Sequence, residues 1–451
     1  MTRTIIDNAA ISTMDDGLTE YASGHVIVED NRILSVGAGK APADPAATHV
    51  DASGCLVTPG FVNTHHHLYQ WATRGYAQDA TLFQWLVALY PIWGRLDAEI
   101  THAAGAAGMA RLALTGCTTI ADHHYVFPGD GGDQVAALVE AADRIGPRLH
   151  LVRGSMDRGV SQGGLPPDRI VEDTEAALLA TEAAINTHHD PSPDARIQVA
   201  VGPCSPFSVT QELMTGAAEL ARRTNTRLHT HLAETVDEED QCQREFGRTP
   251  VEYAADLGWL GSDVWLGHGI HLNADAIKAI ANTQTGVAHC PTSNARIGAG
   301  MAPVRELLDA GVAVGLGADG AASNESGGLA EEMHQALLLA RLRGGPTSLS
   351  ARQTLWMATV GGARCLGRSD DLGSLRPGAL ADLAVWRLDG FAHAGIADPV
   401  AALVFGSPAP LELLLVDGKP VVADNELRTA DDAALADSLR KASNRLAEAS
   451  A

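Results

Sequence analysis

Eight short β-rich runs alternate with alanine- and leucine-rich stretches of helical period over about residues 55–320. The runs cover residues 56–64, 117–122, 148–155, 196–202, 227–232, 263–267, 285–289 and 312–318. Alternating strands and helices build parallel sheets, because each crossover between parallel strands needs room for a helix. Eight such strands close into a barrel, which removes the exposed sheet edges. The sequence therefore predicts an α/β fold of the (β/α)8 TIM-barrel type.

The segments on either side of this region indicate a second, smaller unit. Residues 1–54 have the pattern of short strands and turns, and Asp417-Gly418 is a favoured hairpin dipeptide between two apolar runs. We expect the two segments to share one small composite β-sandwich. The expected boundaries are 1–58 for its first part, 59–370 for the barrel, and 371–451 for its second part with a closing helix over 431–449.

Composition and charge exclude several kinds of partner. The formal net charge is -23, whereas nucleic acid polymers and anionic membranes are bound through basic patches. No stretch has the roughly 18 consecutive apolar residues of a membrane span, and the amino terminus lacks the pattern of a signal peptide. The six cysteines have no C-x-x-C spacing, which is typical of reduced thiols. We expect a cytoplasmic protein that acts on a small molecule.

Three consecutive histidines, His65, His66 and His67, end the first apolar run. Side chains alternate along an extended strand, so His65 and His67 share a face and His66 points to the other. Two imidazoles at this spacing suit one zinc or iron ion, completed by one or two ligands from elsewhere. A solvated surface cluster is the alternative, and the buried apolar strand before the triplet disfavours it.

Polar residues also follow the other predicted strands. Barrel active sites are built where the strands end, at their carboxyl side. The residues at these ends are His65, His67, His123, His124, His231, His268, His289 and Asp319. Their placement supports both the barrel and an active site at its mouth.

The fifth run carries a second pair of histidines on one face, His229 and His231. Spacing alone does not choose between them; His231 is nearer the barrel mouth and is favoured as the third metal ligand, which leaves His229 as a packed residue. Glu234 follows three residues later, where a carboxylate moves a proton between a metal-bound water and a ring nitrogen without binding the metal. A solvated loop glutamate is the alternative, since several acidic residues follow it.

Two further candidates end the sixth and eighth runs. His268 is placed to polarise an oxygen or to hold an attacking water, and Asp319 to act both as a metal ligand and as a proton acceptor. Two-metal hydrolases on such barrels commonly bridge their ions with a lysine on the fourth strand, and the run 196–202 contains none. One metal ion is therefore favoured.

Together these motifs resemble the amidohydrolase superfamily, specifically its mononuclear nucleobase and triazine deaminase branch. The matching segments are 59–67, 231–235, 267–268, 317–324 and 373–384. The resemblance implies that one divalent ion, Zn²⁺ with Fe²⁺ as the alternative, is bound by four residues, and that Glu234 and His268 act on the substrate. The four implied ligands are His65, His67, His231 and Asp319. The resemblance also implies that the protein is a homo-oligomer.

Segments 63–70, 121–124, 153–156 and 202–206 are most similar to the 8-oxoguanine deaminases of this branch. The implied reaction converts 8-oxoguanine and water to urate and ammonia. Gln70, His124 and Ser155 are hypotheses for contacts with the substrate edges, with internal packing or support as the alternative for each. The same motifs also fit a hydroxyatrazine-type s-triazine hydrolase or chlorohydrolase, a guanine or pterin deaminase, and, in a different class, a non-catalytic metal-binding barrel.

Overall fold

The computed structural model describes residues 2–448. The amino-terminal segment contributes five strands. They are β1 (Arg3–Ser12), β2 (Glu20–Glu29), β3 (Arg32–Ala38), β4 (Thr48–Asp51) and β5 (Cys55–Pro59). β5 is buried along its whole length, because it lies in the middle of a sheet that also contains carboxyl-terminal strands.

The second sheet is parallel and is the barrel. Its strands are β6 (Phe61–His67), β7 (Cys117–His124), β8 (Arg148–Ser155), β9 (Ile197–Pro203), β10 (Leu228–Leu232), β11 (Val264–His268), β12 (Gly286–His289), β13 (Val314–Leu316) and β14 (Asp319–Gly320). Each strand from β6 to β13 pairs with the next, and β14 returns to pair with β6. The pieces β13 and β14 form the interrupted eighth strand, and Thr64 Oγ1 donates to Leu316 O at 2.9 Å. The predicted (β/α)8 barrel is confirmed.

Helices cover the outside of the barrel and fill the connections. They are α1 (Leu82–Trp93), α2 (Ala98–Leu114), α3 (Gln134–Ile145), α4 (Thr174–His188), α5 (Gln211–Thr224), α6 (Val236–Phe246), α7 (Pro250–Asp256), α8 (Ala274–Asn282), α9 (Pro291–Arg296), α10 (Val304–Asp309), α11 (Leu329–Gly344), α12 (Ala351–Trp356), α13 (Gly362–Cys365), α14 (Pro399–Phe405) and α15 (Asp432–Glu448). Short 3₁₀ turns lie at Leu68–Thr73, Val160–Gln162 and Asp168–Ile170, and a π-helical turn spans Met357–Gly361. Every helix within residues 2–448 is too short or too polar to span a bilayer.

The carboxyl-terminal segment completes the first sheet. Its strands are β15 (Leu383–Arg387), β16 (Leu411–Val416), β17 (Lys419–Ala423) and β18 (Glu426–Leu427). β5 pairs with β1 on one side and with β15 on the other, so both termini contribute to one nine-stranded sheet. Asp417 and Gly418 have φ values of 55° and 71°, the left-handed pair that a tight hairpin turn needs. The expected composite β unit is confirmed.

The first predicted run, 56–64, is wrong as a single strand. It is divided between β5 and β6, which belong to different sheets. The break is at Gly60, where a Cβ atom would lie 2.2 Å from Thr118 Cγ2, so only glycine allows β6 to approach β7 this closely. The proposed boundary after residue 58 lies within β5. The predicted closing helix over 431–449 corresponds to α15, and residue 449 lies outside the described residues.

Candidate active site

A cavity that is partly open to solvent, with ≈ 400 Å³ of empty space including its mouth, lies at the carboxyl ends of the barrel strands. One wall is apolar and aromatic and comes from α1, through Leu82, Trp85 and Leu86. The floor is polar and comes from the strand ends, including His67 and His231. An apolar pocket that narrows onto a few polar groups is typical of a site for a small molecule.

Two imidazole nitrogens face each other in the floor of this cavity. His67 Nδ1 donates to His123 O and His231 Nδ1 donates to Cys204 O, each at 2.6 Å. These bonds assign the proton to Nδ1 in both rings and leave both Nε2 atoms with a lone pair. The two Nε2 atoms are 3.1 Å apart. Two lone pairs at this distance repel each other unless a cation lies beside them.

His65 presents a third lone pair to the same place. Its Nδ1 atom is 2.7 Å from His229 Nε2, and His229 Nδ1 is 2.8 Å from Trp265 O. His229 therefore donates to the carbonyl and accepts from His65, so that His65 Nε2 is unprotonated. This nitrogen is buried and has no hydrogen-bond partner. Burial lowers the pKa of both His65 and His231 well below the usual histidine value, which favours neutral rings.

Asp319 completes the cluster. Its Oδ1 atom lies 3.4 Å from His65 Nε2 and 3.2 Å from His67 Nε2. Its Oδ2 atom accepts from Ser293 Oγ at 2.6 Å, which fixes the carboxylate plane. The ligand atoms of His65, His67 and Asp319 all lie within 4.8 Å of one another. Neutral imidazoles with occupied Nδ1 atoms and one oriented carboxylate are a donor set that fits one divalent cation.

Glu234 and His268 lie next to the cluster. Glu234 Oε1 is 3.6 Å from His268 Nε2, and His268 Nε2 is 4.0 Å from Asp319 Oδ2. His268 Nδ1 donates to Asn294 Oδ1 at 3.0 Å, a partner that the sequence did not indicate. Burial, together with the charge of Asp319, raises the pKa of Glu234 well above its usual value. A carboxyl that retains its proton is suited to donate it.

Backbone conformation is unusual at the strand ends of the site. Ala233, His268 and Asp319 have φ values of 55°, 68° and 55°, in the left-handed region that residues other than glycine rarely adopt. Such strained positions concentrate at functional sites, where the surrounding structure holds them. Here they turn the chain sharply after each strand, so that the side chains face the barrel mouth.

The structure places the three expected substrate contacts differently. Gln70 is buried and lines the cavity, and its Oε1 atom has no hydrogen-bond partner. His124 and Ser155 do not line the cavity. Strand β7 continues through His124, so alternation turns this ring away from His123 and towards Gln134 Oε1, 3.0 Å away. Ser155 is buried at the end of β8.

Several cavity residues were missed from the sequence. They are Leu82, Trp85, Leu86, Tyr90, Tyr125, Cys204, Ser205, Phe207, Ser293, Ile297 and Ser323. A signal existed for α1, whose buried residues Leu82, Trp85, Leu86, Leu89 and Tyr90 recur at helical spacing. Ser293 lies on the short helix α9, and the rest lie in loops and turns, where no periodic pattern marks them.

Comparison with known proteins establishes the family. A family model described as "Amidohydrolase family" matches residues 56–421, and the chain belongs to this family. It is 45% identical over 438 residues to 8-oxoguanine deaminase of Pseudomonas aeruginosa, covering 96% of this chain and 97% of that protein. It is 38% identical over 409 residues to an isoxanthopterin deaminase from an unknown prokaryotic organism, covering 86% and 85%.

Solved structures give the same result. The zinc complex of atrazine chlorohydrolase from Arthrobacter aurescens TC1 superimposes with a TM-score of 0.92 at 32% identity, covering 98% of this chain and 100% of that one. The predicted superfamily resemblance is thus confirmed. So is the prediction of a hydrolase, because the relatives are deaminases and hydrolases of heterocycles.

Proposed function

We propose that the protein is a metal-dependent deaminase that converts 8-oxoguanine and water to urate and ammonia. The observation that carries the proposal is the convergence of the Nε2 atoms of His65, His67 and His231 and of the Asp319 carboxylate beside the cavity that Glu234 lines. The 45% identity to an 8-oxoguanine deaminase supports the choice of substrate. A non-catalytic metal site would need neither a buried acid beside it nor a cavity of this size above it.

The proposed metal is zinc, in line with the zinc complex of the atrazine chlorohydrolase. The atoms that would hold it are His65 Nε2, His67 Nε2, His231 Nε2 and Asp319 Oδ1. His229 is disfavoured as a ligand because its two nitrogens are both used in hydrogen bonds. A bound ion of this kind lowers the pKa of a coordinated water, so that a nucleophile is present at neutral pH.

The other residues handle protons and orientation. Glu234 would donate its proton to the ring nitrogen next to the reacting carbon, which makes that carbon more electrophilic. Asp319, whose Oδ2 atom is held by Ser293, would accept the proton of the attacking water and pass it to the departing amino group. His268 Nε2 lies between these carboxyl groups and, with its Nδ1 proton on Asn294, would orient the attacking water.

The rest of the cavity suits a flat, neutral heterocycle. Trp85, Leu86 and Tyr90 provide apolar and aromatic surface, and Gln70 Oε1 and Tyr90 Oη are buried without hydrogen-bond partners. A buried polar atom left unpaired costs free energy, which a substrate with amide-like edges recovers. 8-Oxoguanine carries ring N–H groups, which can donate to Gln70 Oε1, and carbonyl oxygens, which can accept from the hydroxyl of Tyr90.

A panel assay tests the proposal. Ammonia release is measured with 8-oxoguanine, guanine, isoxanthopterin and hydroxyatrazine, and the metal content is determined on the same sample. We expect the highest kcat/KM for 8-oxoguanine and about one zinc ion for each chain. Failure of metal-loaded protein to turn over any of the four compounds contradicts the proposal. Release of ethylamine from hydroxyatrazine, with 8-oxoguanine inert, assigns the protein to triazine hydrolysis instead.

We further propose a cytoplasmic homo-oligomer. All six cysteines are buried free thiols, as expected for a protein in a reducing compartment. Leu338 and Leu342 lie one turn apart on α11 and are exposed, which offers an apolar surface for self-association. Light scattering after size-exclusion chromatography distinguishes a homo-oligomer from a monomer of 47.1 kDa.

A further inference from the structure

We infer that Glu238 is a positioning residue that holds the loop carrying Glu234, an inference that rests on the proposed function. Glu238 lies on α6 and is 0% exposed. Its carboxylate accepts two hydrogen bonds from successive backbone amides, Oε1 from Ala233 N at 2.9 Å and Oε2 from Glu234 N at 3.0 Å. Both carboxylate oxygens are therefore committed to the backbone of the proposed proton donor.

The start of α6 does not require this arrangement. Thr235 caps the helix, and its Oγ1 atom accepts from Glu238 N at 3.3 Å. In an ordinary capping box a glutamate at this position returns the bond to the amide of the capping residue. Glu238 instead reaches past Thr235 to the two preceding amides. Its side chain thus binds the backbone of the preceding loop rather than the amide at the helix end.

The loop needs such support because its conformation is strained. Ala233 has a φ of 55°, and its side chain gains no local hydrogen bond that would favour this region. Successive amides in a turn of this kind form a concave anion site, which the Glu238 carboxylate fills. Ala233 O accepts from Ile270 N at 2.8 Å and from His271 N at 2.9 Å, so the same residue ties the loop to the segment after His268.

Glu238 acts through Glu234 and not on the substrate. It is absent from the cavity wall, whereas Glu234 lines the cavity. With the backbone held at Ala233 and Glu234, the carboxyl of Glu234 is directed towards His268 Nε2 at 3.6 Å. A neutral amide at position 238 has one acceptor oxygen and one NH2 group that can only donate, so one backbone N–H would face another N–H. The loop would then relax and move the proton donor.

Kinetics of the metal-loaded enzyme provide the first test, with whichever panel substrate the wild type turns over. Glu238→Gln is expected to lower kcat about 100-fold, the effect of misplacing a catalytic group by about 1 Å, with KM and metal content close to wild type. Asp237→Asn, which makes the same acid-to-amide change at an exposed neighbour on the same turn, is expected to match wild type. Glu238→Asp, which keeps two acceptors on a shorter arm, is expected to be intermediate.

A double mutant separates positioning from a general structural role. If Glu238 acts through Glu234, adding Glu238→Gln to Glu234→Gln leaves the residual turnover unchanged. A second loss of about 100-fold in the double mutant, or loss of the metal from Glu238→Gln alone, overturns the inference.

Hydrogen exchange gives a readout that does not depend on activity. The amides of Ala233 and Glu234 are expected to exchange faster in Glu238→Gln than in wild type or Asp237→Asn, as measured by mass spectrometry on peptides from this loop. Unchanged exchange overturns the inference even for an active enzyme. If these amides exchange faster in Glu238→Gln but the wild type deaminates none of the panel compounds, the proposed function is refuted. The inference that Glu238 holds the loop then still stands.

Discussion

At the scale of single residues, the hydrogen bonds of each imidazole decide what it can do. His65, His67 and His231 have occupied Nδ1 atoms and free Nε2 atoms. His229 uses both nitrogens, and His123 donates its Nε2–H to Gly202 O at 2.7 Å. Proximity alone brings six rings together, these five and His268. Hydrogen bonding at both nitrogens removes His229, and the short contacts of Asp319 Oδ1 with His65 and His67 and of His67 with His231 favour those three rings as the proposed ligands.

The roles of His229 and His231 can be separated by metal binding. His231→Ala is expected to abolish retention of the ion, because it removes a proposed direct ligand. His229→Ala is expected to weaken metal affinity about 10- to 100-fold, because it frees the ring of His65 without removing a ligand. Competition with a chelator measures both. Equal losses in the two variants would mean that His229 binds the metal itself.

Glu234→Gln is expected to keep the metal and to lower kcat by about 10²- to 10⁴-fold, the usual contribution of a general acid or base. The amide preserves size and hydrogen bonding but carries no transferable proton. Turnover and metal content are measured on the same preparation. Loss of the metal would identify Glu234 as a ligand and contradict the assigned role.

Tyr90→Phe tests the unpaired hydroxyl in the cavity wall. The loss of one hydrogen bond to the substrate is expected to cost about 1 kcal/mol, or roughly a fivefold fall in kcat/KM for 8-oxoguanine. Tyr253→Phe is a matched control, because this hydroxyl is also buried and unpaired but does not line the cavity. Equal kinetics for the two variants would remove Tyr90 from the substrate site.

At the scale of elements, strand positions were predictable, and the sheet to which a strand belongs was mispredicted for the run 56–64. The run 148–155 coincides with β8, whose apolar residues Leu149, Leu151 and Val152 mark a strand between two helical stretches. The run 56–64 was predicted as one strand because its apolar character continues through Gly60. The pattern therefore does not show where the chain leaves one sheet and enters the other. His124, a hypothesis for a substrate contact, lies within β7, and its ring is directed to Gln134 rather than to the cavity lining.

The residues of the candidate site also fall into two groups, those that local sequence pattern predicts and those that it does not. His65, His67, His231, His268 and Asp319 were recognisable because they lie at strand ends, whose positions follow from local pattern. Tyr90 and Ser293 reach the cavity through α1 and α9, whose orientation depends on packing between distant segments. No local pattern contains that information.

Gly60→Ala tests the break between β5 and β6. The added methyl group would meet Thr118 at 2.2 Å, and overpacking of this kind destabilises a core by about 1–3 kcal/mol. Gly390→Ala is the control, because nothing lies within 4 Å of its added methyl group. Urea denaturation measures both. A Gly60→Ala variant as stable as the control would show that β6 and β7 can separate without cost.

At the scale of the whole molecule, one buried arginine joins the composite sheet to the barrel. Arg148 begins β8 at the end of the barrel opposite the cavity, and its Nε and Nη2 atoms donate to both carboxylate oxygens of Asp382 at 2.8 and 3.0 Å. Nη2 also donates to Asp417 Oδ1 at 3.0 Å, in the hairpin between β16 and β17. The terminal segments are thereby fixed to the base of the barrel.

Asp382→Asn is expected to lower the free energy of unfolding by about 3–5 kcal/mol, because it leaves the charge of Arg148 buried and only partly compensated. Asp256→Asn, which breaks the exposed pair with Arg248, is expected to cost about 0–1 kcal/mol. Urea denaturation compares the two, and kcat/KM at 25 °C should match wild type in both, because each pair lies away from the cavity lining. A loss of activity in folded Asp382→Asn would show that contacts at the base of the barrel affect the geometry of the active site. Equal stability losses in the two variants would show that the terminal sheet is held by apolar packing alone.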